Sequence, residues 1–151
     1  MNVAETLEEL RQVSDRHDDT NLSVSRWSAG MHIHHCCLVI IEISNQLKDS
    51  VIPSPPKKWS IVKTFVFFTG IIPRGRGSAP EKVLPDIHLL SQQLHESLDE
   101  SERIIREVRN IDSQMWTNHP VFGILTRDES IEFIRIHNSH HLKIIREILA
   151  L

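Results

Sequence analysis

The chain of 151 residues has no tyrosine, and aromatic residues make up only 5% of it. A surface that stacks nucleic-acid bases needs aromatic faces, so their scarcity argues against one. The net charge of -3 gives no general attraction to nucleic acid or to an anionic membrane. Cysteine is limited to the adjacent pair Cys36 and Cys37. Neighbouring cysteines rarely bridge each other, and two do not make a disulfide framework, so a reducing compartment fits best. The most apolar stretch, near Ile61 to Ile72, is interrupted by Lys63 and Gly70 and is too short for a bilayer, which needs ~20 residues. The first ten residues are acidic and amphipathic and lack the basic and apolar regions of a signal peptide. A cytoplasmic protein with no membrane and no nucleic-acid partner is expected.

What is present is ordinary for a globular domain: 40% hydrophobic and 25% charged residues. At this length a single domain over residues 1–151 is expected. It can bury roughly two-thirds of its unfolded surface, so folding alone requires no metal or disulfide. Helical periodicity dominates. A first helix is predicted from about Val3 to His17, with Leu7, Leu10 and Val13 as its apolar stripe. A second begins near Ser25 or Ser28, either of which can serve as N-cap, and ends before Pro53, Pro55 and Pro56. The apolar segment from Lys58 to Thr69 reads as a short helix, because nothing else in the chain offers a strand partner. Gly70 to Pro80 reads as a loop. A third long helix is predicted from about Leu84 to Asn110, with Ile87, Leu90, Leu94, Leu98, Ile105 and Val108 facing the core. A loop through Trp116, Pro120 and Gly123 leads to the last helix, where Thr126 and Glu129 form a capping box. Four long helices imply an all-α four-helix bundle, with a short extra helix in a long crossover.

The most informative residues lie on the last helix. His137 and His141 are separated by i, i+4, which puts both imidazoles on one face about a turn apart. Two neutral imidazoles there can chelate a divalent ion. Ile134, Ile144 and Ile148 share that face and should point inward, and buried polar groups need partners. A third ligand is required. On the second helix His35 shares a face with Met31, Leu38 and Glu42, while His34 is expected on the flank and His32 on the far side. Spacing therefore selects His35, His137 and His141. The competing reading is three core histidines bonded to backbone or water.

Three motifs carry a resemblance. Trp27-Ser28 is followed by a histidine eight positions after the Trp. His119-Pro120-Val121-Phe122-Gly123 is a His-Pro-x-Phe-Gly pattern, and His137-Asn138-Ser139-His140-His141 is an H-x-x-H-H pattern. In order and spacing they resemble the DinB/YfiT-like metalloprotein superfamily over nearly the whole chain, nearest to a branch of unknown function. The resemblance implies an up-down-down-up bundle and a Zn²⁺ or Ni²⁺ site on His35, His137 and His141. Members include thiol-dependent S-transferases and a mycothiol-dependent isomerase, which points to a low-molecular-weight thiol and a small-molecule substrate.

Other residues keep two readings each. His140 is a general acid/base or outer-shell donor, or a half-exposed helix histidine. Glu42 accepts a ligand's N–H and carries protons, or forms a salt bridge. Arg74 and Arg76 clamp a substrate carboxylate or phosphate, or sit in a solvated loop. Cys36 and Cys37 are ligands or redox groups, or small core hydrophobes. His119 orders the loop or takes part in chemistry. Trp27, Trp59 and Trp116 read as core or bundle-end packing, with Trp116 a candidate wall of the pocket mouth. The expected function is a metal-dependent enzyme on a small molecule, either a thiol-dependent transferase or a hydrolase. The alternative is a bundle that binds metal or a small ligand without turnover. Either allows a homodimer.

Overall fold

A computed structural model describes residues 2–75 and 79–151. The first helix, α1 (Val3–Gln12), starts at a capping box in which the Asn2 side chain accepts from the Glu5 amide and the Glu5 carboxylate accepts from the Asn2 amide. It buries Val3, Leu7 and Leu10, residues spaced about one helical turn apart. It stops short of the predicted end at His17. The Ser14 hydroxyl donates to the Arg11 carbonyl at 2.7 Å, a local bond that competes with the helical ladder, and the chain continues as a 3-10 turn over Ser14–Arg16.

Helix α2 (Ala29–Asp49) is capped by Ser28, whose hydroxyl accepts from the Met31 amide. Its first turn is pinned to the preceding segment, with the Gly30 amide donating to the His17 carbonyl at 2.8 Å. Helix α2 is flanked by two partners, α4 (Ser91–Val108) and α5 (Arg127–Leu149). It therefore buries two stripes: Ile33, Cys36 and Ile40 belong to one and His32 and Val39 to the other. Helix α1 also packs on both α4 and α5, so the four long helices contact one another in a closed circuit.

Helix α3 (Ile61–Thr69) ends at Gly70, whose φ of +66° supplies the left-handed cap. It buries only Val66. Trp59 is 80% exposed and Phe68 90% exposed, so the expected packing role of Trp59 is not realised. Helix α4 begins seven residues later than the predicted Leu84. Pro85 disfavours a helical Leu84, and the Asp86 carboxylate accepts from the His88 amide at 2.8 Å, holding a turn. Ile87 and Leu90 are consequently exposed rather than on the core stripe. The helix starts where Gln93 Oε1 reaches back to accept from the Leu90 amide.

The segment read as a loop before the last helix is a β-hairpin. Strand β1 (Trp116–His119) pairs antiparallel with β2 (Gly123–Thr126), in the register Trp116 with Thr126 and His119 with Gly123. Pro120 and Gly123 punctuate the turn itself, and Gly123 has φ +68°. Thr126 then opens α5 through the predicted capping box with Glu129. Glu129 also accepts from Lys57 at 2.9 Å and Lys63 at 2.8 Å, tying α3 to the start of α5. Among the described residues the fold is five α-helices and one two-stranded sheet. No helix of the described residues is long and apolar enough to cross a membrane.

Candidate metal centre

Two helices bring the three histidines together. Helix α2 supplies His35 six residues into its length, and α5 supplies His137 and His141 one turn apart. One nitrogen from each lies within 4.8 Å of the others, and all three side chains are buried, so the trio is placed to hold a metal ion. His35 Nε2 and His137 Nε2 are 3.1 Å apart.

The outer nitrogens determine what that short separation means. His35 Nδ1 lies 2.6 Å from the Val83 carbonyl oxygen. His137 Nδ1 lies 3.2 Å from Asn138 Oδ1. Both oxygens can only accept, so each Nδ1 carries the proton and each Nε2 of the neutral ring presents a bare lone pair. Two lone pairs facing each other at 3.1 Å have no proton between them. A divalent cation is the partner such a pair calls for. The Asn138 amide nitrogen is buried without a hydrogen-bond partner among the described residues, a cost of about 1–3 kcal/mol. What that side chain contributes is its carbonyl, held on His137.

Burial is the first cause of every histidine shift at the site. It pushes His137 down to about 3, with the neighbouring His35 adding to the effect. It lowers His35 and, aided by His137, takes His141 well below the ordinary value. Low values keep the rings neutral, which is the form that binds metal. Trp27 lies against the cluster, with ring centroids 5.1 Å from His35 and 6.4 Å from His141, stacked on the latter.

His32 was missed. Its ring is buried, and its Nδ1 lies 2.9 Å from His141 Nδ1. It does not face away, as the sequence suggests, but turns to α5 beside His35. The spacing itself was informative: His32 and His35 are i, i+3, and such residues are neighbours on a helix. His32 is not part of the three-donor group but lies immediately behind it.

The remaining candidates fall outside the donor group. His140 is half-buried with its ring edge-on to His141 at 5.2 Å. Its pKa is lowered by burial and by the charges of Arg74 and Lys143. Glu42 accepts from Gln46 at 2.9 Å and Lys82 at 3.4 Å. It does not receive the His35 N–H, which goes to Val83. Arg74 makes a two-pronged bond to Glu147 at 2.6 and 2.7 Å, so its guanidinium is already engaged. Arg76 lies outside the described residues. Cys36 and Cys37 are fully buried, and burial raises both thiols, Cys37 to about 12. They behave as core groups, not as thiolates.

His119 works in the hairpin. Its Nδ1 accepts from the Val121 and Phe122 amides at 3.2 Å, and its ring stacks on Phe122. Burial lowers its pKa to about 4, which keeps that acceptor unprotonated. Trp116 walls a shallow recess of about 210 Å³ with Gln46, Asp49, Ser50 and Asn118. Gln46 stands eleven residues along α2 from His35, or ~16 Å at the helical rise, so this recess is not the mouth of the histidine site.

Fold and site together define a mostly helical protein with a buried trio of neutral imidazoles placed for one metal ion. No family model matches the chain, and neither a curated protein nor a solved structure matches it.

Proposed function

We propose that this chain is a divalent-metal-dependent enzyme of the DinB/YfiT-like superfamily, acting on a small molecule with a low-molecular-weight thiol as co-substrate. In this reading α1, α2, α4 and α5 form an up-down-down-up four-helix bundle with α3 in the crossover, and the closed circuit of contacts among the four supports it. The ligands are His35, His137 and His141, and the ion is Zn²⁺ or Ni²⁺, both of which suit imidazole donors. The observation that carries the reading is the pair of unprotonated Nε2 atoms 3.1 Å apart, each with its Nδ1 proton committed elsewhere.

When bound, a divalent ion supplies Lewis acidity that lowers the pKa of a thiol or water at its open position. The protein's own residues do the rest. Val83 and Asn138 hold two ligand rings in one tautomer, and Trp27 covers the cluster with an apolar face. His140, beside His141 and held neutral by its surroundings, is the candidate to accept a proton there.

A second reading has specific support. The carboxylate and guanidinium expected near the site, Glu42 and Arg74, are engaged with Lys82, Gln46 and Glu147. A metal-binding bundle without turnover needs neither. The readings separate in an assay of metal-loaded protein with a panel of small thiols and an electrophile. The transferase reading expects thiol consumption well above buffer, abolished in His35→Ala. Turnover that ignores the thiol and consumes water indicates a hydrolase. No rate with any thiol or ester contradicts the enzyme reading and leaves the binding protein.

A further inference from the structure

Each of the three ligand rings has an outer partner on Nδ1, and the third partner differs in kind from the first two. Val83 O and Asn138 Oδ1 can only accept, so His35 and His137 are fixed with Nε2 bare. His141 Nδ1 instead faces another imidazole nitrogen, His32 Nδ1, at 2.9 Å. One proton sits between these two atoms, and it can belong to either ring. If His32 holds it, His141 carries its own proton on Nε2, which then has no lone pair for a cation. If His141 holds it, Nε2 of His141 is bare like the other two.

The choice is passed outward to Ser25. His32 Nε2 lies 2.9 Å from Ser25 Oγ, which also accepts the Trp27 amide at 3.0 Å. A hydroxyl oxygen accepts two hydrogen bonds. Ser25 can therefore receive the His32 Nε2 proton beside the Trp27 amide, leaving His32 Nδ1 as an acceptor. The series then runs from His141 Nδ1–H to His32 Nδ1, and from His32 Nε2–H to Ser25 Oγ. Packing holds the rings for it. His32 is buried, the His32 and His141 centroids are 5.1 Å apart, and Trp27 meets the His32 ring edge-on at 5.2 Å.

We propose that His32 is a positioning residue: backed by Ser25, it accepts the Nδ1 proton of His141 and so sets that ring in the one tautomer able to join the metal site. The inference rests on the metal reading above. Among the outer partners His32 is the one that faces its ligand ring with an imidazole nitrogen, an atom that can itself donate or accept. Outer hydrogen bonds of this kind change metal affinity about 10–100-fold when removed.

The test uses the full chain without an affinity tag and Zn²⁺ in competition with a chromogenic chelator. His32→Leu keeps an apolar side chain of similar bulk and removes the acceptor; the expected loss is about 10–100-fold in affinity. His32→Asn restores an acceptor oxygen near the position of Nδ1 and should recover most of that loss. A merely space-filling role predicts the reverse order, with Leu better than Asn. Nitrogen-15 spectra of the Zn²⁺-loaded unaltered protein read the tautomers without any substitution and so do not depend on variant folding. The expected pattern is a protonated Nδ1 on His141 and a protonated Nε2 on His32. A protonated Nδ1 on His32, a His32 nitrogen bound to the metal, or unchanged affinity in His32→Leu overturns the proposal while leaving the metal site standing. Failure of the unaltered chain to bind Zn²⁺ overturns the metal reading and this inference with it.

Discussion

Metal-free protein will lose stability steeply as the pH falls from 7 towards 5. The cause is the group of histidines buried in the neutral form. His137 is lowered to about 3 and His32 to about 4, each chiefly by burial, and His141 is lowered well below the ordinary value of 6.5. In the unfolded chain these side chains return to an ordinary value near 6.5. Below that pH the unfolded chain takes up protons that the folded chain refuses, so acid favours unfolding. The stabilising contribution is complete above pH ~6.5 and is progressively lost as the pH falls towards the folded values. Each fully buried neutral histidine costs about 1.4 kcal/mol per pH unit in that window. Two or three acting together reach several kcal/mol by pH 5, a large share of a typical total of about 5–15 kcal/mol. Urea titrations of metal-free protein at pH 7.5, 6.5 and 5.5 measure this directly. The midpoint should fall at each step with little change in slope. A midpoint flat from 7.5 to 5.5 would show that the cluster is not buried and neutral.

The second large effect is expected from Gly30→Ala. A Cβ at this position would lie 2.7 Å from His17 Cβ and 2.9 Å from the His17 carbonyl oxygen. Real Cβ atoms essentially never approach so closely, so either the helix start or the His17 segment must move. Neither is free to do so, because the Gly30 amide donates to that same carbonyl at 2.8 Å and the Ala29 amide donates to Asp19. Overpacking of this kind costs about 1–3 kcal/mol. The better helix propensity of Ala returns up to ~1 kcal/mol of it. A net loss of about 1–2 kcal/mol is therefore expected in chemical denaturation. The displacement should also reach the site, since the segment that must shift leads into Ser25 and Trp27, which back and cover the histidines. Weaker Zn²⁺ binding should accompany the lost stability. A Gly30→Ala protein as stable as the parent would mean that α2 does not approach His17 as described.

Much of this was legible in the amino-acid order. Thr126 with Glu129, and Ser28 as one of two candidates with Ser25, marked helix starts because capping is a local matter of one side chain and a few amides. His137 and His141 followed from i, i+4 spacing on α5, whose inward face was plain; His35 was placed on a face with Met31, Leu38 and Glu42, and those three are only partly buried. What could not be read locally depended on neighbours. His32 is buried because it turns to α5 beside His35, where it meets His141, a contact the sequence of α2 alone does not give. The hairpin escaped because its strands are only four residues long and Pro120 and Gly123 look like loop punctuation. Leu84 to Leu90 continued a helical pattern of apolar residues, but Pro85 and Asp86 turned the backbone aside. Arg74 was visible as a cation, while its partner Glu147 lies 73 residues away in the chain.

The central claim is that three neutral imidazoles from α2 and α5 hold one transition-metal ion. Metal analysis of untagged protein, before and after incubation with Zn²⁺ or Ni²⁺ and removal of excess, tests it most directly. The account predicts one ion per chain in the unaltered protein and none retained in His137→Ala, with Asn138 and Val83 left in place. Unaltered protein that stays metal-free, or His137→Ala that retains a full equivalent, would contradict it.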